Sequence, residues 1–312
     1  MDDYTHANRV FKPEWVSPYS DPKFIQDIEV MRKEFNGTLF IDRVLKTLAI
    51  ANPQSYPPAS KNALQKLHQQ VCDSKFSVPH KLSVFYYILL DFDSLQSRPS
   101  YAENFAFHFA VPEKYKIFMK GLWLMDRRQF SAALEYLAHP SILPEFADDI
   151  VTILVQNADK VGDQYDYSLA LAYYHTVQPA LQSSTALSAL FEAMAQTSLT
   201  EAFYYSRTKP ESARQLLFQQ LIKSVLGGHG GSDIASRATE LVSLPLDGAE
   251  EQWFIDYLTT GNGRRLRNAK DTVLMRRVVT GRHAESMNDK SLGSQWGAVL
   301  GGFKSGMGGR VA

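Results

Sequence analysis

The sequence predicts an all-α protein, an irregular α-solenoid of stacked helix pairs that ends in a basic, Gly-rich C-terminal tail. Three observations carry this prediction. Apolar residues recur at helical spacing along most of the 312-residue chain. Sustained period-two alternation bounded by hairpin turns is missing. Pro112, Pro140, Pro179, Pro210 and Pro245 divide the middle of the chain into intervals that each hold two helices of about 12 residues and a short turn. Proline lacks a backbone donor and clashes with the preceding turn, so these positions are joints between helical pairs. The intervals are too unequal for a consensus repeat, which makes the stack irregular.

Each element follows from local pattern. Residues 1–22 contain Pro13, Pro18 and Pro22 and read as an extended N-terminal segment. Residues 23–260 form the helical body. Phe24, Ile28, Met31 and Phe35 share one helical face and predict a helix over 23–36. Helices follow over 39–51 and 60–74, the second carried by Leu64, Leu67 and Val71. The run Val84–Leu90 has the composition of a buried strand, but Pro79 and good helix formers precede it, so 79–93 reads as a buried helix. Further helices fit 99–110, 113–126 and 128–138, the last carried by Phe130, Ala133, Leu134 and Leu137. Gly121 sits inside the second of these at a cost of about 1 kcal/mol against alanine, which calls for a packing reason such as close approach of a neighbouring helix. The series continues over 145–159, 164–176, 184–196, 197–208, 210–226, 232–243 and 249–260. Gly261-Asn262-Gly263 then reads as a helix stop. Residues 261–312 are the tail, with one more helix from about 264 to Val279.

Charge and glycine mark the tail. It holds 10 Lys/Arg against 3 Asp/Glu and 10 of the 18 glycines, which leaves an acidic body in a chain of zero net charge. With 45% hydrophobic and 12% aromatic residues, the chain is not a wholly disordered one. Cys72 is the single cysteine, so a disulfide scaffold is excluded and a reducing compartment is expected. The run Val84–Leu90 is too short to span a bilayer. The acidic start Met1-Asp2-Asp3 is neither a secretory nor a transit signal, which leaves the Asn36-Gly37-Thr38 sequon without meaning.

Catalytic patterns do not assemble. His68 and Cys72 have the i, i+4 spacing of two metal ligands, but no second pair completes a zinc site; a buried thiol beside a surface histidine is the better reading. Asp91 and Asp93, Asp148 and Asp149, and Glu250 and Glu251 read as solvated charge or helix caps, because sequence neighbours on a helix diverge. Gly227-Gly228-His229-Gly230-Gly231 lacks the Gly-Lys-Ser/Thr ending of a phosphate loop and follows a helix. No Gly-x-Ser-x-Gly elbow or Ser-x-x-Lys occurs. The expectation is a protein without enzymatic activity, cofactor, metal or small-molecule substrate.

An ordered set of segments is more specific. Tyr86-Tyr87-Ile88-Leu89-Leu90-Asp91, Phe109-Ala110-Val111-Pro112 and Gly121-Leu122-Trp123-Leu124-Met125-Asp126 occur in that order. Phe130, Ala133-Leu134-Glu135-Tyr136-Leu137, His139-Pro140, Ala170-Leu171-Ala172-Tyr173-Tyr174, Gln178-Pro179 and Glu201-Ala202-Phe203 follow. From about residue 80 to 210 the chain resembles the α-helical domain of the ELYS nuclear pore assembly proteins. These positions are mostly apolar and report a fold, with no catalytic residue to carry over. The resemblance implies a structural nucleoporin in the nucleus, at the nuclear envelope and its pore complexes. Its partners would be nucleoporins of the Y-shaped complex, bound through the β-propeller-bearing arm subunits. Support of pore assembly, and with it of mRNA and protein transport, is the implied role. Larger animal members of the family carry an amino-terminal β-propeller and carboxy-terminal DNA-binding hooks; this chain has room for neither and resembles the short fungal members. Two other readings share the periodicity: a helical-repeat adaptor of another multisubunit assembly, and a nucleic-acid-binding protein acting through its basic tail.

The tail supplies the candidate partner-binding residues. Arg264, Arg265, Arg267, Lys270, Arg276, Arg277 and Arg282 are suited to an acidic protein surface or to phosphates, or form a solvated basic helix that doubles as an import signal. Trp296, Val299, Leu300 and Phe303 form a short amphipathic segment, which is marginal alone in water. It gains burial in a partner groove or against the protein's own last helices.

Overall fold

The computed structural model describes residues 3–50, 55–95, 100–162, 164–227, 233–282 and 301–302. It is all-α: sixteen helices, of which α1 spans Ala7–Val10 and α2 Pro22–Glu34, and one two-stranded hairpin among the described residues. The chain divides into two compact units, residues 1–182 and 183–312.

The first unit continues with α3 (Phe40–Thr47), α4 (Lys61–Asp73), α5 (Val78–Asp93), α6 (Tyr101–His108), α7 (Glu113–Asp126), α8 (Phe130–Leu137), α9 (Ala147–Gln156) and α10 (Ser168–Val177). Pro112 is the N-cap of α7, where a missing donor costs nothing, and Pro140 lies between α8 and α9. Val84–Leu90 is helical, as its flanks predict, and every residue from Leu82 to Asp93 is buried. The reason is position: α5 is covered by α4, α6, α7 and the N-terminal segment. That segment buries Phe11 and Tyr19, Phe11 stacking on Phe92 at 5.8 Å.

Burial of α5 overturns two surface expectations. Asp91 is wholly buried and accepts hydrogen bonds from Tyr19 Oη, Tyr56 Oη, Trp123 Nε1 and Arg127 Nη2 at 2.7, 2.7, 2.8 and 2.6 Å. An ionised carboxylate tolerates such a site only when its lone pairs are filled, and four donors fill them. His68 is likewise 1% exposed, stacked on Phe85 at 4.8 Å with Nε2 at 2.9 Å from the Tyr4 carbonyl, and burial lowers its pKa. Cys72 beside it is only half-buried. Asp93 does cap a helix: it accepts the backbone N–H groups of Ser100, Tyr101 and Ala102 at the start of α6.

Gly121 has the packing reason its position demands. A Cβ there would lie 2.7 Å from Leu137 Cδ2, because α8 crosses directly over α7 at this point. After α9 the chain forms the hairpin β1 (Asp159–Val161) and β2 (Gln164–Asp166), antiparallel with Lys160 opposite Tyr165. The helices predicted over 145–159 and 164–176 are shortened accordingly. Gly162 turns the chain at φ +64°, and Asp166 accepts Ser168 N–H at 2.9 Å, which delays the start of α10.

The second unit contains α11 (Ser184–Thr197), α12 (Leu199–Arg207), α13 (Glu211–Leu226), α14 (Asp233–Ser243), α15 (Gly248–Thr259), a 3-10 turn (Asn262–Arg265) and α16 (Ala269–Val279). Leu217, Phe218, Leu221, Ile222 and Val225 of α13 form its core against α11, α12, α14 and α15. Glu250 and Glu251, read as solvated charge or helix caps, are buried and matched by cations, and Glu250 also caps α15 by accepting the Asp247 backbone N–H at 2.9 Å. Glu250 receives Arg207 Nε at 3.0 Å and Nη2 at 2.6 Å, with Arg214 beside them.

Candidate partner-binding surfaces

A groove of about 330 Å³ opens on the first unit between α3, α5, α7 and the α8–α9 connection. Helical spacing on α7 aims Tyr115, Phe118 and Met119 into it, with Lys114 at the rim. Phe76, from the connection before α5, and Leu143, from the loop after Pro140, both line it with 40% and 77% of their surfaces exposed. Phe146 takes φ +56°, a costly conformation for an aromatic residue, and this brings its ring parallel to Phe118 at 6.3 Å. His80 sits edge-on to Tyr115 at 5.1 Å.

Four side-chain polar atoms of the groove are engaged within the protein. Thr47 Oγ1 donates to Val44 O at 2.7 Å, Ser83 Oγ to His80 O at 2.7 Å, and Ser141 Oγ lies 2.7 Å from His139 Nδ1. His80 Nδ1 in turn lies 2.7 Å from Ser77 Oγ. What remains for a ligand is apolar carbon, the Tyr115 hydroxyl, the second ring nitrogen of His80, the Lys114 ammonium and the Glu145 carboxylate. Sequence periodicity missed this surface, since Phe76, Ile142 and Leu143 belong to loops. The available signal was Ile142-Leu143 between Pro140 and Pro144, an apolar pair where a connection is normally polar.

The basic residues of the second unit separate into two groups. Arg264 and Arg265 on the 3-10 turn, and Arg267 and Lys270 just beyond it, are exposed. Arg276 is 5% exposed and its guanidinium is committed internally. Nε and Nη2 bond Glu251 at 3.0 and 2.7 Å, while Nη1 bonds the carbonyls of Val242 and Leu244, each at 2.7 Å. The side chain satisfies carbonyls at the end of α14 and ties α14, α15 and α16 together, so its charge does not face a partner. Arg282 also pairs with Glu251, and Arg277 is half-buried. Trp296, Val299, Leu300 and Phe303 lie outside the described residues.

Among the described residues, no cluster of three or more His, Cys, Asp or Glu is placed to hold a metal ion. No described helix is long and apolar enough to cross a membrane. The surfaces offered are an apolar groove and an arginine-rich turn, both suited to recognition.

Two comparisons bear on these surfaces. A family model described as ELYS, nuclear pore complex assembly, matches residues 38–261, which run from just before α3 to the end of α15. The uncharacterized protein ely5 of Schizosaccharomyces pombe is 26% identical over 238 residues, covering 75% of this chain and 72% of its own.

Proposed function

The chain belongs to the ELYS family of nuclear pore complex assembly proteins, and from that premise we propose that it is a structural nucleoporin and not an enzyme. In this reading its helix pairs stack as an irregular α-solenoid. It joins the Y-shaped complex through the β-propeller-bearing arm subunits, at the nuclear envelope, and supports pore assembly and the mRNA and protein transport that depend on it. The observation that carries the reading is the extent of the family match, which takes in α3 through α15 of both units. Two features of the surface support it. The buried carboxylates are matched by donors within the fold, and the exposed Phe76, Arg264, Arg265 and Arg267 are of the types that anchor protein interfaces.

We assign the partner contacts to this arginine turn and to the segment carrying Trp296, Val299, Leu300 and Phe303. Localisation tests the proposal. The fluorescently tagged full chain is expected at the nuclear rim, overlapping pore markers, and should co-purify with arm subunits. A diffuse signal together with no recovery of nucleoporins would overturn it.

A further inference from the structure

One face of the first unit carries its ligand type on the page, because the chain's own N-terminal segment covers it. We infer that the face formed by α4, α5 and α6 is a docking site for a segment with two aromatic side chains four residues apart, that residues 3–17 fill it as a strap, and that a partner protein's segment of the same pattern takes their place. This rests on the scaffold reading only for the existence of a partner; the chemistry of the ligand is read from the strap.

Strap and face belong to different parts of the chain. The family match begins at residue 38, so α4, α5 and α6 lie inside it and the strap outside. Phe11 lies against Phe85 and Phe92 of α5 at 6.1 and 5.8 Å, and against His68 of α4 at 6.2 Å. Trp15 lies on Tyr101 of α6 at 4.1 Å and reaches Phe92 at 6.3 Å. The Tyr4 carbonyl adds a bond from His68 Nε2 at 2.9 Å.

Side chains supply most of the fastening. The backbone N–H groups of His6, Arg9, Phe11 and Trp15 bond carbonyls within the strap, and the ion pair of Asp3 with His6 is internal too. Arg9, Lys12, Pro13 and Glu14 are exposed, and Val16 keeps 72% of its surface in solvent. Open clefts flank the strap on both sides. One of about 250 Å³ faces Lys61, Leu64 and Gln65 of α4; the other, about 660 Å³, faces Tyr101, Asn104 and His108 of α6. A segment that belonged to the core would be close-packed along its flanks. Tyr19 is different. Its hydroxyl is one of the four donors to the buried Asp91, so lifting it would leave that carboxylate short of a donor. The segment therefore hinges before the buried Pro18, releasing Phe11 and Trp15 while Tyr19 stays.

Competition follows from the tether. A ligand on a short linker sits at an effective concentration of about millimolar, so the strap shields the face from weak ligands. A partner displaces it by bringing the same aromatic pair together with contacts of its own elsewhere.

The test uses the full chain and a fluorescein-labelled peptide of residues 3–17. Anisotropy is expected to show saturable binding to the Phe11→Ala, Trp15→Ala chain, at least about tenfold tighter than to the unsubstituted chain, whose strap competes. A peptide carrying the same two substitutions should not bind. Tyr101→Ala, added on the receiving face, should weaken peptide binding by about tenfold or more. Trypsin gives a second reading on the unsubstituted chain. Cutting between Arg9 and Val10 requires the buried Val10 to leave its place, and should proceed with far-UV helicity retained. Cutting no faster than global unfolding overturns the inference, as does a folded double variant that ignores the peptide. A double variant that fails to fold overturns it as well, since the strap is then core. So does a dimer in sedimentation that the double substitution dissolves, because the donor is then a second copy. Failure at the nuclear rim with peptide binding intact sinks the scaffold reading instead.

Discussion

Trp123 on α7 donates its indole N–H to the buried Asp91 of α5 at 2.8 Å, and Tyr87 of α5 donates its hydroxyl to the buried Asp126 of α7 at the same distance. The two helices thus exchange one donor and one carboxylate each. All four residues belong to the segments on which the sequence resembles the ELYS family, so those segments specify an interhelical polar lock inside an apolar core. Asp126 extends the lock to a third helix, accepting the N–H groups of Phe40 at 2.7 Å and Ile41 at 3.0 Å at the start of α3.

Removing the acceptor should cost more than removing one donor. Asp91→Ala leaves the Arg127 guanidinium and three neutral donors without their shared partner, and is expected to destabilise the protein by about 3–5 kcal/mol. Trp123→Phe leaves Asp91 three of its donors and should cost about 1–3 kcal/mol. Urea unfolding followed by far-UV circular dichroism checks the order; equal losses would mean that the lock is not centred on Asp91.

The α7–α8 crossing sets a limit on side-chain size. Gly121→Val drives carbon into Leu137, whose Cγ and Cδ2 both lie 2.7 Å from the position of a Cβ, and should cost at least about 1–3 kcal/mol. In a double-mutant cycle with Leu137→Ala the two losses should fail to add, because the smaller residue makes room. Strict additivity would place the cost elsewhere.

Asp126 gives the fold a defined pH response. Burial pushes its carboxyl up to about 7, against the opposing hydrogen bonds from Phe40, Tyr87 and Ile41. In the unfolded chain the same group titrates near 3.8. Between these values the folded form keeps a proton that the unfolded form has lost, so the Asp126 contribution to stability falls as pH rises from about 4 to 7. Asp126→Asn removes the titration. The stability of the wild-type chain relative to this variant should therefore decline across that window, and a difference independent of pH would contradict the assignment.

The arginines of the second unit should part company. Arg276→Met breaks a buried pair by removing one partner, with an expected loss of about 3–5 kcal/mol and faster amide exchange in α16. Replacing Arg264, Arg265 and Arg267 by alanine should change stability by no more than about 0.5 kcal/mol per site while weakening partner binding. A comparable stability loss in both variants would show that the turn is structural.

Much of the helical architecture was legible because its causes are local. Period, prolines at the joints and Gly121 inside a helix all act within a turn or two of the chain. The buried carboxylates were not, since a sequence position on a helix does not reveal how many neighbours cover it. Asp91 and Glu250 become interior only when residues 32 or more positions away arrive with matching donors. Phe11 and Tyr19 belong to a segment with no period, and the hairpin of residues 159–166 is too short to show one. The groove escaped for a related reason: its most exposed large apolar residue, Leu143, lies in a loop, and its walls come from four separated stretches of chain.

The central claim is that this helical protein exists to bind other nucleoporins. Isothermal titration of the full chain into a reconstituted Y-complex arm tests it most directly. Saturable binding in the micromolar range or tighter is predicted, weakened by the Arg264, Arg265 and Arg267 alanine variant and by deletion of residues 283–312. Absence of binding at micromolar concentrations, with the chain folded, would contradict the account.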